Sequence, residues 1–165
     1  MWRSILVSVD LSDGSELLIK EAHRLATDFS AKLYILHVVQ FRKVNINYAI
    51  AFPIKKLAYE QLEENARCDI DAILPKEKDN IEVIIKRGEP EKSILDLARL
   101  LGVDLIIMDG SKHSFLRHLV RGRWRCLNSQ IASKSSAPVL LINVKGCFPR
   151  KSELKISSQG YNKKS

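Results

Sequence analysis

Apolar residues recur along this chain in two alternating rhythms: short continuous runs, and longer stretches carrying a helical stripe. The runs are Ser4–Asp10 (SILVSVD), Lys32–Val39 (KLYILHVV), Ile81–Lys86 (IEVIIK), Leu105–Met108 and Val139–Val144 (VLLINV). Their length and β-branched content predict strands, and the weak polar alternation predicts cover on both faces. Between the first two runs, Leu18, Ala22, Leu25, Ala26 and Phe29 fall on one helical face, with Ser12 or Asp13 placed to cap. A mixed loop from Gln40 to Pro53 precedes a second helix with Ala58, Leu62, Ala66, Ile70 and Ile73 inward, stopped by Pro75. Gly88-Glu89-Pro90 is a turn, and Pro90 opens a third helix with Ile94, Leu97, Ala98 and Leu101 inward, ended by Gly102. A last helix spans about Arg125 to Lys134, and Ala137-Pro138 leads into the final strand.

Strictly alternating strands and helices require crossover connections, which make neighbouring strands parallel and the crossings right-handed. The expected fold is α/β, a single doubly wound five-stranded parallel sheet with helices on both faces. In such sheets ligands bind beyond the carboxyl ends of the strands, where the strand order reverses. The first and fourth strands flank that crevice, which makes Asp10 a neighbour of the loop after Met108. Residues 1–145 form the domain. From 146 to 165 the composition shifts to Lys, Ser, Gly and Asn, the pattern of a mobile basic tail.

The 165 residues, 45% hydrophobic and 28% charged, fit an ordinary globular protein. No apolar run approaches the roughly 20 residues that span a bilayer. Ile5–Val9 is too short for a signal-peptide core and runs into Asp10, so a cytoplasmic location is expected. Cys68, Cys126 and Cys147 are odd in number, widely spaced and outside any CxxC, as expected of reduced thiols. His23 and His37 sit in helix and strand patterns, far along the chain from His113 and His118, so no zinc site is expected.

Charge alters this picture at one place. From Gly110 to Ser152 there are nine Lys or Arg residues and no Asp or Glu; with +8 overall, the rest of the chain carries −1. The basicity is therefore local, and it begins directly after the fourth predicted strand.

Several segments together resemble the universal stress protein family: ILVSVDLSDGSE, LYILHVV, RGEPEKSILDLA, GVDLIIMD and SSAPVLLINV, in this order from about Arg3 to Val144. The resemblance implies the sheet order 3-2-1-4-5 and a last strand that pairs with its symmetry mate in a homodimer through Val139, Leu141 and Ile142. An apolar edge strand invites such pairing on its own composition. The resemblance also implies a nucleotide crevice, to which Asp10, Val39, Asp109, Gly110, Lys112, Gly122 and Arg123 correspond. Family members that bind ATP are similar in a loop after strand four: Gly, two residues, Gly, nine residues, Gly, then Ser or Thr. Glycines there let backbone N–H groups approach phosphate without an intervening Cβ. Aligned without gaps from Asp104, this chain has Asp109 at the first Gly, Lys112 at the second, Gly122 at the third and Arg123 at the Ser. A slip of one residue restores Gly110 but puts His113 and Arg123 at the next two glycines.

A carboxylate at Asp109 repels a triphosphate, and a side chain at Lys112 or His113 fills backbone-approach space. Each conflict costs on the order of 1–3 kcal/mol. The expectation is a vestigial or altered crevice, no cofactor, and a non-enzymatic stress-response binding or regulatory module. Two alternatives stand beside it. One is an ATP- or AMP-binding switch using Lys112, Arg121 and Arg123 in place of glycines. The other is binding of an anion, an acidic partner or a nucleic acid by the basic 110–152 stretch, with Trp124 available for stacking. The stretch also reads as a solvated loop. Asp10 reads equally as a cap of the turn that follows it. Asp10 and Asp109 could pair to hold a cation or do acid/base work, yet no GxSxG, HExxH or Walker sequence accompanies them.

Overall fold

The carboxyl ends of five parallel strands line up along one edge of a sheet ordered β3-β2-β1-β4-β5. The computed structural model describes residues 1–40, 48–77, 79–110 and 127–144, and side chains of the second helix from residue 56 onward except 58. The strands are β1 (Ser4–Val9), β2 (Lys32–Val39), β3 (Ile81–Arg87), β4 (Leu105–Asp109) and β5 (Val139–Ile142). The described helices are α1 (Ser15–Asp28), α2 (Tyr48–Ile73), α3 (Pro90–Leu101) and α4 (Leu127–Lys134). This is the expected doubly wound sheet, with its order reversing at β1. None of these helices is long and apolar enough to cross a membrane.

The two faces of the sheet are covered separately. Ile5, Val7, Leu33, Ile35 and Ile107 pack with Leu18, Ile19, Ala22 and Ala26 of α1 and Ile70 of α2. On the other face Leu6, Leu36, Ile106 and Met108 pack with Ile94, Leu97 and Ala98 of α3 and Ile131 of α4. Continuous apolar runs in β1 and β4 are thereby explained: neither face meets water. The α3 helix begins with Pro90 and ends on Gly102 at φ 57°, a left-handed position that glycine adopts without steric cost.

At the amino end of the sheet a carboxylate ties two strands together. Asp104 Oδ2 accepts the backbone N–H groups of Arg3 (2.8 Å) and Ser4 (3.0 Å), with Ser4 Oγ at 3.2 Å. These donors, the two backbone amides first, hold the Asp104 carboxyl below its ordinary range.

Four details differ from the pattern in the sequence. The α2 helix starts at Tyr48, ahead of Pro53, and so carries that proline in its second turn. Leu62 is 41% exposed rather than inward. A 26-residue helix is about 39 Å long, whereas β2 and β3 span about 23–27 Å. The amino-terminal part of α2 overhangs the sheet, and the inward stripe holds for Ala66, Ile70 and the half-buried Ile73. The cap of α1 is Gly14, without a side-chain cap bond, rather than Ser12 or Asp13. Finally, β5 ends at Ile142, two residues early, because its partner β4 ends opposite it at Asp109.

Candidate functional site

Parallel register decides what meets at the crevice. Ser8 of β1 pairs with Met108 of β4, and Asp109 with Ile142 of β5. Asp10 and Gly110 therefore both lie just past the carboxyl ends of adjacent central strands. On the other side of β1, Val39 ends β2 opposite Arg87 of β3. Four expected site residues, Asp10, Val39, Asp109 and Gly110, are thus brought to one edge of the sheet. Lys112, Gly122 and Arg123 lie outside the described residues, as do most of the basic stretch and the tail.

The Asp10 carboxylate organises its own loop. Its Oδ1 accepts the Ser12 N–H at 3.0 Å, with Ser15 Oγ at 3.5 Å. Leu11 between them takes φ 57°, and Ser15 N–H donates to Ser12 O at 2.8 Å. The carboxylate fixes the turn that starts α1, a structural duty compatible with a ligand nearby. Gly14 of this loop lies under the chain leaving β5. A Cβ there would sit 2.2 Å from Val144 Cγ2, so glycine is required by a close approach, not by its dihedral angle.

Past β4, the end of the strand is held by Asn128, which the sequence did not advertise. Asn128, 8% exposed at the start of α4, donates from Nδ2 to the Asp109 carbonyl at 2.8 Å. Gly110 N–H donates to Ile142 O at 2.8 Å, continuing the sheet by one bond. His37 Nδ1 lies 3.0 Å from Val9 O. A carbonyl only accepts, so Nδ1 is the donor in this contact. A buried Asn in a polar run has no periodic signature, and His37 looked like one more strand residue. Neither could be found from spacing.

The outer wall on the β3 side is polar. Arg87 donates from Nη2 to Glu63 Oε2 of α2 at 2.7 Å, pairs its Nε with Glu63 Oε1, and stands 5.1 Å from the Tyr59 ring centroid. The guanidinium's hydrogen bonds hold the Glu63 carboxyl below its ordinary range. Among the described residues no group of three or more His, Cys, Asp or Glu could hold a metal. Cys68 is an exposed free thiol; Cys126 and Cys147 lie outside the described residues. A separate cavity of about 240 Å³ opens at the opposite, amino-terminal end, lined by His23, Thr27, Leu33 and Asn80 among others. It shares no residue with the crevice.

A family model described as "Universal stress protein family" matches residues 1–143. The chain belongs to the universal stress protein family. A relative, "Universal stress protein YxiE" of Bacillus subtilis, is 29% identical over 153 residues, covering 86% of this chain and 99% of YxiE. Among solved structures, the universal stress protein UspA from Lactobacillus plantarum superposes with a TM-score of 0.65 at 22% identity, covering 86% of this chain and 98% of that one. A universal stress protein crystallised in complex with cAMP gives a TM-score of 0.55 at 22% identity, with 87% and 98% covered. At these identities the two structures attest the fold. The universal stress protein sheet order expected from the resemblance is the order observed.

Proposed function

We propose that this universal stress protein is a non-enzymatic, cytoplasmic stress-response module, homodimeric through β5, whose crevice does not take up Mg-ATP in the ordinary way. The observation that carries the reading is Asp109. It ends β4 beside Gly110, where ATP-binding relatives open their glycine loop, and it places a carboxylate at that edge. Repulsion between it and a triphosphate costs on the order of 1–3 kcal/mol, ten- to a hundredfold in affinity.

Pairing through β5 is supported by its place at the sheet edge, bonded to β4 alone among the described residues. Val139 and Ile142 are half-buried and Leu141 is 48% exposed, an apolar edge of the kind that recruits another strand. Leu141→Lys should shift the protein toward monomer in sedimentation velocity; an unchanged dimer would move the interface elsewhere.

A second reading, a mononucleotide switch, is favoured by the relative crystallised with cAMP and by the retained Asp10 and Val39. Melting curves with millimolar Mg-ATP, AMP and cAMP separate the two. No shift with any of them supports the nucleotide-free module. A shift with AMP or cAMP alone supports the switch, and a shift of several degrees with Mg-ATP overturns the leading reading. Retention on a polyanion that falls steeply with salt would instead point to the basic stretch.

A further inference from the structure

We propose that the stretch of α2 from 56 to 65 is a separately opening wall of the crevice, held, among the described side chains, by an exposed clamp on Arg87. The inference rests on reading the carboxyl-end crevice as the ligand site, because the wall matters only to what enters there.

Burial along α2 divides the helix. From Ala66 onward it is fixed by apolar contact: Ala66 is 4% exposed and Ile70 is fully buried. From 56 to 65, Lys56, Leu57, Glu60, Gln61, Leu62, Glu64 and Asn65 are exposed. Of the described side chains in that stretch, Tyr59 and Glu63 alone are partly covered. Both reach Arg87, Glu63 through its two oxygens and Tyr59 through its ring face.

Arg87 closes β3 opposite Val39, so the clamp stands beside the crevice. Local opening draws on regions with few buried apolar contacts. Among the described side chains, 56–65 is joined by charge and a cation–π contact, which salt screens, while α2 from Ala66 onward is joined by burial, which salt does not weaken. Glu60 and Arg67 also act electrostatically on the pair, Glu60 on Arg87 and Arg67 on Glu63. The fork of Arg87 matches both carboxylate oxygens at once, a geometry that lysine does not reproduce.

Hydrogen–deuterium exchange by mass spectrometry tests this with no ligand present, so its outcome is independent of whether the crevice binds a nucleotide. In Arg87→Ala, amides of residues 57–65 should exchange about three- to tenfold faster, while 66–73 and α1 stay at the wild-type rate. Arg87→Lys should fall between the two. Should Arg87→Ala fail to fold, wild-type protein carried from about 50 mM to about 1 M NaCl, over which the Debye length falls from roughly 14 Å to about 3 Å, should show the same confined acceleration. Unchanged exchange in 57–65, or an equal rise throughout α2 and α1, would overturn the proposal.

Discussion

Asp104 and Asp10 are the same residue type at opposite ends of the central strands, and they do different work. Asp104 reaches across from the start of β4 to the backbone of Arg3 and Ser4, joining two strands. Asp10 bonds within its own loop, to Ser12 and Ser15, and joins no strands. The amino end of the sheet is therefore stitched by a carboxylate. The carboxyl end is held by the loop backbone, by Asn128, by His37 on Val9 of the neighbouring strand and by the close approach of Val144. The Asp104 carboxylate is spent on another strand, whereas the Asp10 carboxylate is spent on its own turn and stays exposed.

This contrast can be broken at four positions, in descending size. Gly14→Ala forces Val144 aside and should lower unfolding free energy by about 1–3 kcal/mol in urea titration. Adding Val144→Ala should recover part of the loss, and strict additivity of the two would remove the close approach as the cause. Asn128→Ala leaves the Asp109 carbonyl without its buried donor and should cost about 1–2 kcal/mol by the same measurement.

Asp104→Ala comes next, with a pH signature of its own. The folded carboxyl lies below its ordinary value of 3.8, so its contribution is full above that value and is lost as pH falls through the depressed one. Urea midpoints of wild type and Asp104→Ala should differ at pH 6 and converge in strong acid. A gap that persists there would assign the effect to packing. Asp10→Ala should cost least, about 0.5 kcal/mol, since it gives up bonds within one exposed turn. If Asp10→Ala proved more damaging than Asp104→Ala, the division of labour between the two ends would be wrong.

Much of this architecture was legible because burial on both faces leaves a strong mark. LYILHVV and GVDLIIMD can be little else than covered strands, and Pro90 with Gly102 bracket α3 as capping chemistry requires. What periodicity could not convey was reach. The stripe through Leu62 continues in sequence after the sheet beneath it has ended, so Leu62 is exposed without breaking the pattern. Pro53 looked like a boundary because its missing donor is local, while the helix around it is set over seven turns. At the carboxyl edge, the places of Asp10 and Gly110 were legible from the strands they follow. Asn128 and Gly14 were not, because each answers to a partner distant in sequence, Asp109 and Val144.

The Gly14–Val144 contact also has a meaning in time. A ribosome finishes the β1–α1 loop long before it makes the strand whose exit packs on that loop. Contacts so far apart in sequence are slow to close and come late in folding. A loop made early in this domain is thus among the last to gain its neighbours, and a nascent chain halted before β5 would display a nearly complete sheet with an unfinished crevice.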